Sequence, residues 1–303
     1  MESGLSRDNN NCLRDEVQLL TEEIESCSGL NLFARCWKPK AEHELKGLVF
    51  ISHGFGEHLG WYDELAREMV RHRFLVFGHD HLGHGKSGGK RAYIERAEDY
   101  VNDILMHAAK VKNQYTGLSM FLYGHSMGGM LAVSTALRNQ TFFKGLILEG
   151  PLITPDPAQA TPLRIFLANL LVYFLPEMQL GHISVEQVTS DQEVQARILG
   201  DKYRWTGGFK LITSLAILRC LGEIRCKLNT ISLPILILHG GNDSLCQPSG
   251  SHTLYQECTS MDKALKIYPR ASHHLILEEL PTRQAVFHEI LSWLNKRTDS
   301  LEI

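Results

Sequence analysis

Short apolar runs alternate with helical segments along most of this chain, and that alternation constrains its fold more than any other feature. "GLVFIS" (47–52), "FLVFGHD" (74–80), "MFLYG" (120–124), "GLILEG" (145–150), "PILILHG" (234–240) and "ALKIY" (264–268) are each rich in β-branched, aromatic or aliphatic residues. Runs that are apolar throughout, rather than at every second residue, belong to strands buried on both faces, as in parallel sheets. Between them "WYDELAREMVRH" has helical spacing, and "ERAEDYVNDILMHAAKVKNQY" places Tyr100, Ile104, Ala108 and Val111 on one helix face. "MGGMLAVSTALRN" reads as a helix rich in small residues. "PTRQAVFHEILSWLNKR" reads as a closing helix with Pro281 near its first turn, where the missing N–H costs nothing. "GLNLFARCW" alternates weakly, as an early strand does. The expected fold class is α/β, with a mostly parallel central sheet flanked by helices on both faces.

Residues 151–232 interrupt this rhythm. They hold two strongly apolar helical stretches, "PLRIFLANLLVYFLPEM" and "GGFKLITSLAILRCLGEI", with no strand candidate between them. The first is too short for a membrane span and is broken by Arg164, Asn169 and Pro176. The expected organisation is a core formed by 16–150 and 233–303, with 151–232 inserted as a helical cap. Both cap stretches are more apolar than one buried face needs, so they are expected to line a lipid tunnel or touch a bilayer as well as pack on the body. Residues 1–15 are polar and are expected to form a flexible tail. They show no secretory or transit pattern, and neither the start at Met1-Glu2 nor the terminal "SLEI" is a lipidation signal.

With 31 basic and 34 acidic residues the net charge is −3, which provides no basic field for nucleic acid. The 7 cysteines are odd in number and scattered without CxxC spacing, as in a reduced, cytoplasmic chain.

The chemistry begins at "GHSMGG" (124–129), which fits G-x-S-x-G through Gly124, Ser126 and Gly128 between a strand and a helix. Small residues there permit a sharp turn that projects the Ser126 hydroxyl above the sheet. A serine hydroxyl needs a base to remove its proton, and the base needs a carboxylate to fix its tautomer. Those partners are expected in the order Ser, acid, His, each in a loop after a strand. Asp243 in "ILILHGGNDSLC" and the pair His273 and His274 in "ALKIYPRASHH" meet that requirement. An oxyanion hole needs backbone amides, expected from Met127, after the serine, and from Phe55 in "SHGFGEH" (52–58), where Gly54 and Gly56 allow close approach.

Taken together, "SHGFGEH", "FGHDHLGHGKSGG", "YGHSMGGM", "LHGGNDSLC" and "LKIYPRASHH" resemble the monoacylglycerol lipases (monoglyceride lipases) of the α/β-hydrolase fold, from about residue 24 to 297. The resemblance implies a serine hydrolase that cleaves monoacylglycerol to fatty acid and glycerol. It needs no cofactor or metal, and its cap lines the acyl tunnel and contacts membranes peripherally. It assigns Ser126 as nucleophile, Asp243 as acid and one histidine of the pair as base, and it places Cys246 near them. The acyl chain is expected against Leu163, Phe166, Leu170 and Leu215. Two positions depart from the family. Trp61 and Ile276 stand where a basic residue and a further histidine often help hold the glycerol hydroxyls, while Glu57 is retained. That departure keeps lysophospholipase, general carboxylesterase and acyltransferase activities open beside monoacylglycerol hydrolysis. A non-catalytic lipid-binding protein on the same fold would usually lack a triad member, and none is missing.

Alignment from the strand side puts His273 at the catalytic position, whereas alignment back from "ELP" favours His274. The intact spacing from acid to base favours His273. His274 is then a replaceable neighbour facing solvent or the glycerol site. "HDHLGH" (79–84) is read as a loop after a strand, shaped by Asp80 and Gly83, rather than as a metal site.

Overall fold

The computed structural model of the protein describes residues 16–40, 44–158 and 160–298, so the expected tail at 1–15 lies outside the described residues. Its centre is an eight-stranded sheet in the order β1-β2-β4-β3-β5-β6-β9-β10. The strands are β1 (Val17–Glu25), β2 (Asn31–Pro39), β3 (Gly47–Ser52), β4 (Phe74–His79), β5 (Ser119–His125), β6 (Gly145–Glu149), β9 (Ile235–Gly240) and β10 (Lys263–Tyr268). Pairings from β4 through β3, β5, β6 and β9 to β10 are parallel, while β1–β2 and β2–β4 are antiparallel. The chain thus has the mostly parallel α/β sheet expected from its sequence. β1 has no counterpart in the sequence reading, because its "VQLLTEEIE" is mostly exposed and carries no continuous apolar run.

Alternation along the buried strands feeds two cores. Leu48, Phe50, Leu75, Phe77 and Leu122 point to one face, Val49, Ile51, Val76, Phe121 and Tyr123 to the other. Helices α2 (Ala97–Gln114) and α3 (Met127–Arg138) cover the first face, and α1 (Asp63–Arg71) and α9 (Leu280–Thr298) the second. α8 (Pro248–Glu257) crosses from β9 to β10.

The segment between β6 and β9 carries α4 (Pro162–Leu171), α5 (Val185–Val188), α6 (Gln192–Leu199) and α7 (Leu211–Arg225). It also holds a two-stranded antiparallel ribbon, β7 (Gln179–Leu180) with β8 (Phe209–Lys210), which corrects the strand-free expectation. Two residues per strand are too few to show a period. The two apolar cap stretches behave differently. α7 buries Ala216, Ile217, Cys220, Leu221 and Ile224 in the first core. α4 buries none of its residues, and Leu163, Phe166 and Leu170 are 67%, 61% and 52% exposed. Tyr173 and Phe174, just beyond it, are each 83% exposed. No described helix is long and apolar enough to cross a membrane.

Candidate active site

Ser126 sits at the junction of β5 and α3 with φ 54° and ψ −121°, a conformation that non-glycine residues rarely adopt. The flanking glycines make this turn possible. A Cβ on Gly124 would lie 2.4 Å from the Gly128 carbonyl oxygen, and one on Gly128 would lie 2.0 Å from that of Ser52. The turn is pinned from the neighbouring strand, where the Glu149 carbonyl accepts from the Ser126 amide at 3.1 Å.

Asp243 lies in the loop after β9 and His273 in the loop after β10, as the order of motifs anticipates. His273 Nδ1 and Asp243 Oδ2 are 2.7 Å apart, with both residues buried. The other carboxylate oxygen, Oδ1, accepts from the amides of Leu245 (2.8 Å) and Cys246 (2.9 Å), which fixes the orientation of the carboxylate. His239 Nε2 lies 3.1 Å from Oδ2 and 2.7 Å from the Cys246 carbonyl. Burial on its own would raise the Asp243 pKa. The charge of His273 and the bonds from His239, His273 and the Cys246 amide outweigh it and hold the carboxyl well below the usual range. A histidine whose Nδ1 is held by a carboxylate in this way presents Nε2 as a proton acceptor.

Ser126 and His273 both line one cavity of about 120 Å³ between the sheet and the cap, and the expected oxyanion donors Phe55 and Met127 line it too. Phe55 stacks on Phe209 of the cap ribbon, with ring centroids 4.2 Å apart. The Trp205 amide donates to the Gly56 carbonyl at 2.8 Å, so the cap also braces the loop after β3 from above. The Cys246 Sγ is 3.9 Å from the Ser126 Oγ, and burial pushes its thiol well above the ordinary range.

Of the residues expected to contact substrate, Glu57 and His274 line the cavity, whereas Leu163, Phe166, Leu170 and Leu215 are not among its lining. The first three face outward and Leu215 is packed within the protein. The apolar wall is instead made by residues such as Leu152, Ile183, Val188, Ile217 and Leu245. Sequence spacing could not separate Leu215 from Ile217 on α7, since both lie in one apolar run. Trp61 also lines the cavity, and its indole N–H donates to Asp201 at 2.7 Å. Ile276 is buried.

Of the two settings expected for His274, solvent is excluded, while the residue does line the cavity. It is fully buried and faces no solvent. Its Nδ1 lies 3.0 Å from Glu149 Oε1 and its Nε2 3.1 Å from Glu57 Oε2, and its ring stacks on that of His125 at 3.8 Å. Burial would lower its pKa, but the Glu149 and Glu57 carboxylates outweigh it and push it up to about 10. His125, by contrast, is held well below its ordinary value by burial and by the adjacent His274 and His273. Glu57, His125 and His274 bring donor atoms within 4.8 Å of one another, close enough for one cation. With a carboxylate on each nitrogen of His274, the group already forms a hydrogen-bonded ion network.

"HDHLGH" forms the loop after β4. Asp80 accepts from the amides of Leu59 and Lys86, each at 2.9 Å, and Gly83 has φ 72°. The histidines here are buried, and burial lowers the pKa of His79 to about 3 and of His84 to about 4.

Residues 43–280 match the family model described as serine aminopeptidase, S33. The chain is 38% identical to human monoglyceride lipase over 277 residues, covering 91% of this chain and 90% of that protein. It is 34% identical to a monoglyceride lipase homolog of Monkeypox virus, over 88% of this chain and 95% of the viral protein. A crystal structure of a soluble variant of monoglyceride lipase from Saccharomyces cerevisiae, in complex with a substrate analog, superposes with a TM-score of 0.81 at 25% identity. That match covers 93% of this chain and 96% of the yeast one. The chain therefore belongs to this family of α/β-hydrolases, alongside the monoglyceride lipases.

Proposed function

We propose that this protein is a carboxylic ester hydrolase that cleaves monoacylglycerol to fatty acid and glycerol through an acyl-enzyme on Ser126. The observation that carries the reading is the strained turn holding Ser126 in one cavity with His273, whose Nδ1 is bonded to Asp243. Likeness to monoglyceride lipases over nine-tenths of the chain supports the substrate class.

In this mechanism His273 Nε2 takes the Ser126 proton as Oγ attacks the ester carbonyl. Asp243 holds the ring in the tautomer that can accept and stabilises the imidazolium that forms. The amides of Phe55 and Met127 stabilise the oxyanion. Collapse of the tetrahedral intermediate breaks the bond to glycerol, whose oxygen takes the proton from His273. Water then attacks the acyl-enzyme, giving its proton to the same histidine, and the fatty acid leaves as Ser126 is restored. No step calls for a metal or cofactor.

The cavity is small beside the roughly 300–1,000 Å³ of typical ligand pockets, so a long acyl chain enters as the cap shifts. The apolar surface of α4 and of Tyr173 and Phe174 is the surface that would meet a bilayer peripherally. Turnover of monoacylglycerols, lysophospholipids and short esters by the purified enzyme tests the reading. The glycerol ester should give the highest kcat/KM. Preference for lysophospholipid or short ester would replace it with the corresponding esterase activity.

A further inference from the structure

Two buried carboxylates, Glu57 and Glu149, face one imidazole from opposite sides beside the candidate catalytic histidine. Only a doubly protonated ring can donate to both, because a neutral imidazole leaves one nitrogen as an acceptor against an acceptor. Both carboxylates have further partners. The Tyr62 hydroxyl donates to Glu57 Oε2 at 3.2 Å, and His125 Nε2 lies 3.5 Å from Oε1. The Tyr123 hydroxyl and the Ile276 amide donate to Glu149. Glu149 is fully buried, whereas Glu57 borders the cavity.

The placement of Glu57 is unusually tight. A Cβ on Gly54 would come within 2.0 Å of Glu57 Oε1 and 3.1 Å of the Ser126 Cβ, so the carboxylate lies against the oxyanion loop next to the serine. An uncompensated carboxylate there would oppose the negative charge that develops on the ester oxygen. An adjacent imidazolium removes that opposition at a carboxylate that lines the cavity.

We propose that His274 is a positioning residue that bridges Glu149 and Glu57 as an imidazolium and so fixes the Glu57 carboxylate as the acceptor for a hydroxyl of the substrate's alcohol moiety. The inference rests on the glycerol-ester reading above. Glu149 anchors the far side of the bridge and never meets substrate. Trp61 and Tyr62 flank the ring, with centroids 6.2 and 5.4 Å away. The glycerol hydroxyls gain an ionised acceptor, whereas an ester of a simple alcohol gains nothing from it.

The test compares the 1-glycerol ester and the methyl ester of one fatty acid in detergent micelles, for wild type, His274→Gln and Glu149→Gln. The ratio of kcat/KM on glycerol ester to that on methyl ester should fall at least tenfold in His274→Gln, mainly through KM, and should fall in the same direction in Glu149→Gln. A purely structural role would lower both esters equally and leave the ratio in place. If His274→Gln does not fold, Glu149→Gln keeps the imidazolium's contact with Glu57 while loosening its anchor, and carries the same comparison. Wild type that turns over the glycerol ester while the ratio stays within twofold in the folded variants overturns the role of His274 alone. Wild type that does not turn over the glycerol ester overturns the substrate reading, and this role with it. Recovery of a stoichiometric bound metal from the purified enzyme, lost in His274→Gln, would also overturn the bridge.

Discussion

Replacing Asp243 with asparagine exchanges one oxygen for an NH2 group, and the structure says which one. Oδ1 accepts from the Leu245 and Cys246 amides, so the asparagine carbonyl must stay on that side. The NH2 group therefore faces His273 Nδ1, 2.7 Å away in the wild type, and His239 Nε2 at 3.1 Å. An NH2 group donates, so His273 must accept at Nδ1 and carry its proton on Nε2, the nitrogen that should receive the proton of Ser126. A wrong tautomer in a triad of this kind lowers kcat by about 10⁴, or about 5.4 kcal/mol at 1.36 kcal/mol per tenfold. The variant should keep its fold, because the two backbone bonds survive. The assay is kcat on a soluble p-nitrophenyl ester at pH 7, with a circular-dichroism melt on the same sample. A folded Asp243→Asn enzyme within tenfold of wild type would refute the assignment of Asp243.

Three further outcomes follow from particular contacts. Gly128→Ala drives a Cβ to 2.0 Å from the Ser52 carbonyl and 2.5 Å from that of His53. The clash is with backbone, so the loss should reach about 3 kcal/mol or more, a fall in Tm of about 6 °C or more, and a melt shifted by under about 2 °C would contradict it. Tyr173→Ser/Phe174→Ser removes two rings that are each 83% exposed. If the cap dips into a bilayer, half-burial of both rings is worth about 2 kcal/mol, so vesicle binding in a flotation assay should weaken about 30-fold, and unchanged flotation would remove the cap as the docking surface. Stability should fall on acidification from pH 7 to 5.5. Burial holds His53, His79, His81, His84, His107 and His125 below their ordinary values. The unfolded chain therefore binds more protons as pH drops through about 6.5, at roughly 1 kcal/mol per histidine. The raised pKa of His274 has the opposite sign, its contribution being complete below about 6.5 and lost as pH climbs toward about 10. Urea midpoints across this range check both limbs, and a flat profile would contradict them.

The sheet was legible because "GLVFIS", "FLVFGHD" and "PILILHG" open on short apolar runs that suit a strand covered on both faces. The turn at Ser126 was legible because Gly124, Ser126 and Gly128 lie within five residues, although the Ser52 carbonyl that forbids a side chain at Gly128 comes from a distant strand. What sequence spacing could not show depends on contacts between distant segments. His274 meets Glu149 and Glu57 across 125 and 217 residues, and neither glutamate carries a local sign of being buried beside a histidine. The same holds for the cap. "PLRIFLANLLVYFLPEM" and "GGFKLITSLAILRCLGEI" are similarly apolar, yet the first turns its side chains outward and the second packs on α2 and α3. Composition records how apolar a helix is; the surface that receives it decides which way the apolar side faces. β1 escaped detection because an antiparallel edge strand, half in water, lacks the continuous run that marked the others.

The central claim is that the Ser126 hydroxyl attacks the ester of a monoacylglycerol. Its most direct test is release of fatty acid from a monoacylglycerol by wild type and by folded Ser126→Ala under identical conditions. The account predicts ready turnover by wild type and a loss of at least about 10⁴ in kcat for the variant. Turnover by Ser126→Ala within tenfold of wild type would contradict it.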